Sequence, residues 1–387
     1  MLVIGDESGS DCSESMLVPR NDAELAAIMM DNHALARPLR ISGGGTRINT
    51  PAIENDCVLT TRAMNGIVTY EPGELTLIAR VGTPVEEVEH ALAECRQVLA
   101  FEPMDYRILR GSKGEPTIGG VVSANVSGPR RVRAGSCRDH LLGVRFVDGR
   151  GRIIKSGGRV MKNVTGLNLG RLLCGACGTL GVLTEVVLKT VPMSECEQTL
   201  LFSGLSVSEA VEVFSAAFRT PFEVSGAAFY RGNAWLRVEG LARQSEYRRD
   251  RLTALFGNHK IDILAREASR TLWRRLRDVH HFSGTPGAVW RICVKPTDAP
   301  NTAIALQALG GEISLDWGGG LIWYCGPGDV ASVRKAAVLG NATLVRGDTP
   351  GSTQVFATER KEVAKLSAAL RNTFDPAKIL NSGLIGS

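Results

Sequence analysis

Along the first half of the chain, apolar positions come in short runs broken by glycine, with two stretches spaced for helices. Leu25, Ile28 and Met29 fall on one helical face, and Asn21 with Glu24 three residues later forms a capping pair that opens it. Strand-like runs follow at 39–41, 57–60, 67–70 and 75–81. A second helix is predicted where Thr83 stands as N-cap, Pro84 takes the first helical position and Glu86 lies three beyond the cap, with Val85, Val88 and Leu92 on the inner face. Residues 141–147 and 152–155 flank Asp148-Gly149-Arg150-Gly151 and predict a β-hairpin. Gly178-Thr179-Leu180-Gly181 then leads into a β-rich run over 182–191, stopped by Pro192.

Beyond about residue 194 the glycine turns thin out. Helices near 208–219, 244–256, 266–280, 300–309 and 329–339 alternate with strands near 226–239, 289–294, 312–316 and 321–325, which predicts an antiparallel sheet with helices on one face. A last helix near 359–373 precedes Phe374-Asp375-Pro376-Ala377-Lys378-Ile379-Leu380-Asn381-Ser382-Gly383. The fold class is α+β, with a first domain over 1–193, a short antiparallel α+β cap over 194–350, and a helix and tail over 351–387 that return to the first domain. Polar residues 5–15 read as a flexible lead-in.

The 387 residues suffice for two or three cores. A net charge of +5 is modest, the arginines are scattered and aromatics are only 5%, which argues against a nucleic-acid surface. Nine cysteines, an odd number between Cys12 and Cys325, make no disulfide framework, and no apolar signal segment precedes them. A reducing cytoplasm is the expected compartment. No apolar stretch has the length to span a bilayer. Cys174-Gly175-Ala176-Cys177 has metal-like or redox-like spacing, but no second pair completes a zinc site, and no metal site is predicted. No four-cysteine run for an iron–sulfur cluster is present.

Two glycine segments carry the candidate chemistry. Ser42-Gly43-Gly44-Gly45-Thr46-Arg47 follows a strand-like run and suggests a nest of backbone amides that favours anions. It has neither the Gly-Lys-Ser/Thr of a P-loop nor the spacing of a Rossmann fingerprint. The second segment, Pro116-Thr117-Ile118-Gly119-Gly120-Val121-Val122-Ser123-Ala124-Asn125-Val126-Ser127-Gly128, has two readings. In one, unpaired first-turn amides and missing Cβ atoms admit a pyrophosphate, with Thr117, Ser123 and Asn125 as further donors. In the other, the glycines let a helix pack closely on a strand. Arg130-Arg131-Val132-Arg133 is either a solvated loop or a contact to phosphate or an anionic partner.

Taken in order, six segments resemble the FAD-binding domain of the vanillyl-alcohol oxidase/p-cresol methylhydroxylase (PCMH) superfamily. They are Pro19-Arg20-Asn21-Asp22-Ala23-Glu24-Leu25, the Gly43-Gly44-Gly45-Thr46 loop, Tyr70-Glu71-Pro72-Gly73-Glu74-Leu75-Thr76 running to Gly82-Thr83-Pro84, the 117–128 segment, Gly178-Thr179-Leu180-Gly181-Val182-Leu183-Thr184-Glu185, and the terminal 374–383. Phe101-Glu102-Pro103, Ser127-Gly128-Pro129-Arg130-Arg131 and Arg159-Val160-Met161-Lys162-Asn163-Val164-Thr165-Gly166 further resemble the FAD-binding subunits of bacterial glycolate oxidases, also called glycolate dehydrogenases. The resemblance implies a two-subdomain PCMH-type FAD domain and FAD as cofactor. It implies that Ser42, Gly43, Gly44, Gly45 and Thr46, with Thr117, Ile118, Gly119, Gly120, Ser123, Ala124, Asn125 and Gly128, hold the pyrophosphate and ribose. Pro103 joins that cofactor set, Gly181 and Val182 line the flavin or adenine region through their backbone, and Asn381 returns the C-terminus to the flavin domain. Asn49 stands where another glycine is usual, Ser382 where proline is, and Leu384 where a basic residue is.

Oxidising a 2-hydroxy acid takes a base for the hydroxyl proton, a cationic clamp for the carboxylate and a flavin to accept hydride. Larger catalytic-type relatives carry a Gly-His-x-Gly-Asp-Gly-Asn segment that is absent here, so the catalytic residues are unassigned. His280-His281 either line the substrate side or complement a helix end. Trp290-Arg291 and Asp316-Trp317 either face the flavin or pack within the cap. The leading expectation is the FAD-binding subunit of a heteromeric 2-hydroxy-acid (glycolate) oxidase or dehydrogenase. Its partners are a larger FAD-containing catalytic subunit and an iron–sulfur subunit that takes the electrons, and membrane association arises only through partners. The alternatives are a flavin-binding relay or scaffold subunit, and a self-sufficient FAD oxidase of another hydroxylated substrate.

Overall fold

In the computed structural model, residues 16–47, 57–158, 167–347 and 355–384 are described. The expectations for 5–15, Asn49 and 159–166 fall outside them. The chain enters on β1 (Met16–Leu17) and α1 (Asp22–Ala34). At the start of α1 the Asn21 side chain accepts from the Glu24 amide at 2.9 Å, while the Glu24 carboxylate accepts from the Arg20 amide at 2.9 Å. Strands β2 (Leu39–Ser42) and β3 (Cys57–Thr60) join β1 in a parallel sheet of order β1-β3-β2.

The next strands are β4 (Ile67–Glu71), β5 (Thr76–Arg80), β6 (Gln97–Val98), β7 (Leu141–Val147), β8 (Ile153–Gly157), β9 (Val182–Lys189) and β10 (Val191–Pro192). β6 pairs with β10, and the rest form an antiparallel sheet of order β4-β5-β9-β7-β8. The β7–β8 hairpin turns as its sequence requires, because the Asp148 carboxylate accepts from the Arg150 and Arg152 amides at 3.0 and 2.9 Å. Helix α2 (Val85–Glu94) starts one residue later than expected. Thr83 does not cap it; its hydroxyl donates to the Arg80 and Gly66 carbonyls at 2.7 and 3.2 Å, tying the preceding loop together. Short helices α3 (Arg107–Arg110), α4 (Ile118–Ser123), α5 (Arg131–Ala134) and α6 (Leu169–Leu173) fill the connections.

The second half is built on eight antiparallel strands: β11 (Cys196–Ser203), β12 (Gly226–Tyr230), β13 (Asn233–Gly240), β14 (Ile261–Leu264), β15 (Ala288–Cys293), β16 (Glu312–Asp316), β17 (Leu321–Gly326) and β18 (Asn341–Arg346). Their order is β14-β11-β13-β12-β16-β17-β15-β18. Helices α7 (Val207–Phe218), α8 (Ala242–Leu255), α9 (Arg266–Arg277), α10 (Ala299–Gln307) and α11 (Val330–Ala336) flank the sheet, and α12 (Lys361–Phe374) follows it.

The helices do not all share one face. Residues of α7, α8, α10 and α11 pack with Leu200, Leu236, Trp290, Ile292, Ile322 and Tyr324 in one core. Trp273 of α9 packs instead with Ala228 and Trp235 on the other face. That second face is the one turned toward the first half, since side chains alternate along a strand. Val289, Leu321, Trp323, Cys325 and Val345 belong to the first half's core rather than to the cap's own. Trp290 therefore points away from the seam and Arg291 toward it.

A buried ion network closes the seam. Glu102 accepts from Arg237 Nη1 and Nη2 at 3.0 and 2.9 Å and from the Arg130 amide at 2.9 Å. Arg130 in turn donates to Glu239 through Nε at 2.9 Å and Nη2 at 2.5 Å, and Glu197 lies 3.8 Å from it. Arg237 is 1% exposed and its guanidinium lies 4.5 Å from the Trp273 ring. Against the cost of burial, Arg237 and Arg130 hold Glu239 down at about 2, whereas burial and the Glu239 charge push Glu197 up. Arg130 is thus neither a solvated loop residue nor a phosphate contact.

Residues 379–381 lie against β2 of the first half. Ile379 and Asn381 bracket Leu39 with backbone hydrogen bonds of 2.7 and 3.0 Å. The Asn381 side chain accepts from the Ile41 amide at 2.7 Å and donates to the Cys177 carbonyl at 2.8 Å. Its φ of +43° is one that asparagine tolerates.

Candidate cofactor site

Two cavities meet at the inner edge of the first half. One, of about 380 Å³, lies among β2, the triple-glycine loop, α4, the 177–182 turn and Asn381. The other, of about 510 Å³, lies between the first half and the cap. Arg47, Ala124 and Cys177 line both.

The triple-glycine loop forms the floor of the first cavity by a close approach of two backbones. A Cβ on Gly44 would sit 1.5 Å from the Glu115 carbonyl oxygen, and one on Gly43 would sit 2.6 Å from the Thr117 hydroxyl. Gly45 has φ +68° and open space around it, so its glycine serves the turn. Among the described residues, nothing accepts from the amides of Gly43, Gly44, Gly45 or Thr46. A row of free donors on a concave backbone is a nest.

Arg47 follows this loop. Its Nε is buried without a hydrogen-bond partner, its guanidinium lies 5.9 Å from the Tyr106 ring, and burial lowers its pKa to about 10. Among the described residues no carboxylate lies within ion-pair distance of it, Asp105 acting only from farther off, and a largely buried cation so placed is costly unless an anion joins it. The nest and this guanidinium, with its unpartnered Nε, together fit a pyrophosphate.

Helix α4 contributes differently from the expectation. The amides of Ile118 and Gly119 donate to the Thr83 and Val81 carbonyls, each at 2.9 Å, and the Thr117 hydroxyl accepts from Gly120 at 3.3 Å. The first turn is already paired, so the free-amide reading of this segment is wrong. A Cβ on Gly119 would meet Val81 at 2.5 Å, and this glycine serves helix-on-strand packing. What α4 offers the cavity is a wall of Gly119, Gly120, Ser123 and Ala124.

The other expected residues divide. Ser42, Gly43, Gly44, Gly45, Thr46, Gly181, Val182 and Asn381 line the first cavity, and Asn125 and Gly128 line the second. Thr117, Ile118 and Pro103 line neither; all three are buried in packing. Arg47 was missed, although its place directly after Gly-Gly-Gly-Thr was a signal. Cys177 borders both cavities, with its thiol pushed up to about 12 by burial, while Cys174 is wholly buried.

Of the catalytic candidates, His281 lines neither cavity. Its ring lies 4.3 Å from Tyr230 and 4.5 Å from Phe282, and burial pushes its pKa down to about 4. Arg291 and Asp316 do line the second cavity.

A family profile described as "FAD binding domain" matches residues 14–157. The chain is 32% identical over 367 residues, 94% of it and 97% of the relative, to glycolate oxidase subunit GlcE of Escherichia coli (strain K12). The chain belongs to the GlcE family. Glycolate oxidase subunit GlcD of Bacillus subtilis (strain 168) is 30% identical over 204 residues, which is 52% of this chain and 42% of that one. A solved structure of alkyldihydroxyacetonephosphate synthase superposes with TM-score 0.70 at 15% identity, covering 95% of this chain and 76% of its own, which shows a shared fold. FAD is therefore the cofactor of this GlcE-family chain, and the nest with Arg47 is a donor set suited to its diphosphate.

Proposed function

We propose that this chain is the FAD-binding subunit of a heteromeric 2-hydroxy-acid oxidase or dehydrogenase acting on glycolate, which passes electrons to an iron–sulfur partner. The observation that carries the reading is the nest of amides from Gly43 to Thr46, unpaired among the described residues, beside the unpartnered Nε of Arg47, in a chain that aligns with GlcE over nearly its full length. When bound, FAD supplies the acceptor for the hydride equivalent leaving the hydroxyl-bearing carbon. The chain's own residues bind and orient it. The amides and Arg47 take the diphosphate, Ser42, Gly120 and Ser123 flank it, Gly181 and Val182 form a backbone wall, and Asn381 fixes β2 against the Cys177 turn. The division into an FAD domain over 1–193, a cap over 194–350 and a returning tail over 351–387 belongs to the same reading. It is supported by the separate eight-stranded sheet and by the Asn381 clasp. The names of GlcE and GlcD as subunits of glycolate oxidase support a multi-subunit complex; the partners in this reading are a larger FAD-containing subunit and an iron–sulfur subunit that takes the electrons. Among the described residues, no helix is long and apolar enough to cross a membrane.

The test is anaerobic addition of glycolate to the purified chain, alone and with its co-expressed partners, while the flavin absorbance is followed. Bleaching in the complex supports the proposal. Bound flavin that stays oxidised in both preparations contradicts it.

A further inference from the structure

The chamber between the two halves holds cations placed differently from those of the Glu102 network. In the Glu102 network each guanidinium meets carboxylates at hydrogen-bond distance. A different arrangement surrounds Trp317. The guanidinium carbon of Arg131, from α5, lies 4.4 Å from the Trp317 ring centroid, and that of Arg291, from β15, lies 5.0 Å from it. Among the described residues neither arginine has a carboxylate within ion-pair distance. Among the described residues Arg291 donates to the Cys293 sulfur alone, at 3.3 Å. Two cations that share one ring repel each other, and Arg131 is shifted down by burial and by the Arg291 charge. As a device for holding the cap, this would be inferior to the matched network next to it.

The ring they share is held through both the side chain and the backbone of its residue. Trp317 Nε1 donates to the Gly128 carbonyl at 3.0 Å, and its own amide donates to the Asp316 carboxylate at 2.7 Å. Trp317, Gly318 and Gly319 take φ of +55°, +65° and +97° in succession. A tryptophan held there is strained, and such strain is characteristic of sites that must present a group in one position. Arg131, Arg291 and Asp316 all line the chamber, which borders the cofactor cavity through Arg47, Ala124 and Cys177.

We infer that Arg131 and Arg291 form a binding site for a small carboxylate anion beside Trp317, the place where a 2-hydroxy acid or its oxo product docks. The inference rests on the proposed function for the substrate class, and on the chamber's own geometry for the residues. The fork of a guanidinium matches a carboxylate, and contact with the Trp317 ring holds each fork in place.

The experiment uses the full chain carrying FAD and reads equilibrium binding without turnover. Oxalate, glycolate and inorganic phosphate are titrated separately while tryptophan fluorescence and the flavin difference spectrum are recorded. Wild type is expected to show a saturable response to oxalate. Arg131→Met and Arg291→Gln, both at half-buried positions, are each expected to weaken it by at least about ten-fold with flavin content unchanged. Undiminished oxalate affinity in both variants overturns the site, as does a wild-type response to phosphate without one to oxalate. If those variants lose oxalate binding while glycolate still bleaches their flavin as in wild type, the site is overturned and the proposed function stands. Absence of flavin from wild type fails the proposed function itself.

Discussion

Replacing Arg237 with methionine tests whether the ion network is what joins the second half of the chain to the first. The side chain is 1% exposed, donates twice to Glu102 at 3.0 and 2.9 Å, lies 3.4 Å from Glu239 and covers Trp273. Methionine keeps much of the apolar stem and the contact with the indole but removes the charge. The cluster then holds one cation, Arg130, against Glu102, Glu197 and Glu239, and a second carboxylate must take up a proton or remain buried unpaired. Removing one partner of a buried pair costs about 3–5 kcal/mol, and the remaining contacts of Arg130 place the expected loss near the lower end, about 3 kcal/mol. The assay is urea unfolding at pH 7.5 of the FAD-loaded chain, followed by far-ultraviolet circular dichroism and flavin fluorescence together. The circular dichroism change is expected to begin at lower urea, with the cap releasing ahead of the flavin. The double variant with Glu102→Gln should lose less than the sum of the two single variants, because the residues share one interaction. A shift below about 0.5 kcal/mol, or strict additivity in the double variant, would refute the reasoning.

Other positions give independent checks. Gly44→Ala is expected to abolish soluble FAD-loaded protein, since its Cβ would fall 1.5 Å from a backbone oxygen, whereas Gly45→Ala should fold and keep flavin at a cost of about 1 kcal/mol. Expression yield and flavin-to-protein ratio separate the two. Burial raises the Asp316 pKa from 3.8 to about 7, against the pull of the Trp317 amide, Arg237 and Arg291 and with the push of Glu102. Its contribution to stability is therefore fully present below pH 3.8 and is lost as pH rises through about 7. Asp316→Asn should accordingly gain stability over wild type at pH 8, by up to roughly 4 kcal/mol, and the gain should vanish near pH 3.8 in urea titrations. Oxalate affinity in wild type should fall across the same upper window, because the ionised carboxylate repels the anion, and the variant should flatten that fall. Asn381→Ala removes hydrogen bonds to Ile41 and Cys177, and flavin should be lost more readily on dialysis while far-ultraviolet circular dichroism stays near wild type.

What the sequence made legible was local in origin. The β7–β8 turn could be read because Asp148 satisfies amides two and four residues away, and the cap of α1 because Asn21 and Glu24 are three apart. The nest could be read because consecutive glycines need no partner to be unusual. The pairing of α4 could not, since the acceptors for its first amides are Val81 and Thr83 from a separate segment. Strands β11, β14 and β18 escaped notice for a similar reason. In β11 the buried Glu197 and Thr199 interrupt the apolar alternation, and they are tolerated only because Arg130 and Ser269 meet them from other elements. Glu102 and Arg237 stand 135 residues apart, and nothing in either neighbourhood announces the other. Arg47 was visible but looked like one scattered arginine among many until the fold showed its buried, unpartnered Nε.

The most direct test is the flavin-to-protein ratio of Arg47→Met beside wild type, measured on the purified chain by absorbance with the thermal transition recorded in parallel. If the nest and this guanidinium hold the FAD diphosphate, wild type carries close to one flavin per chain. Arg47→Met is then depleted by at least about ten-fold at equal FAD concentration while its flavin-free form unfolds no earlier than flavin-free wild type. A variant that keeps a full complement of flavin with unchanged affinity would contradict the assignment of this site.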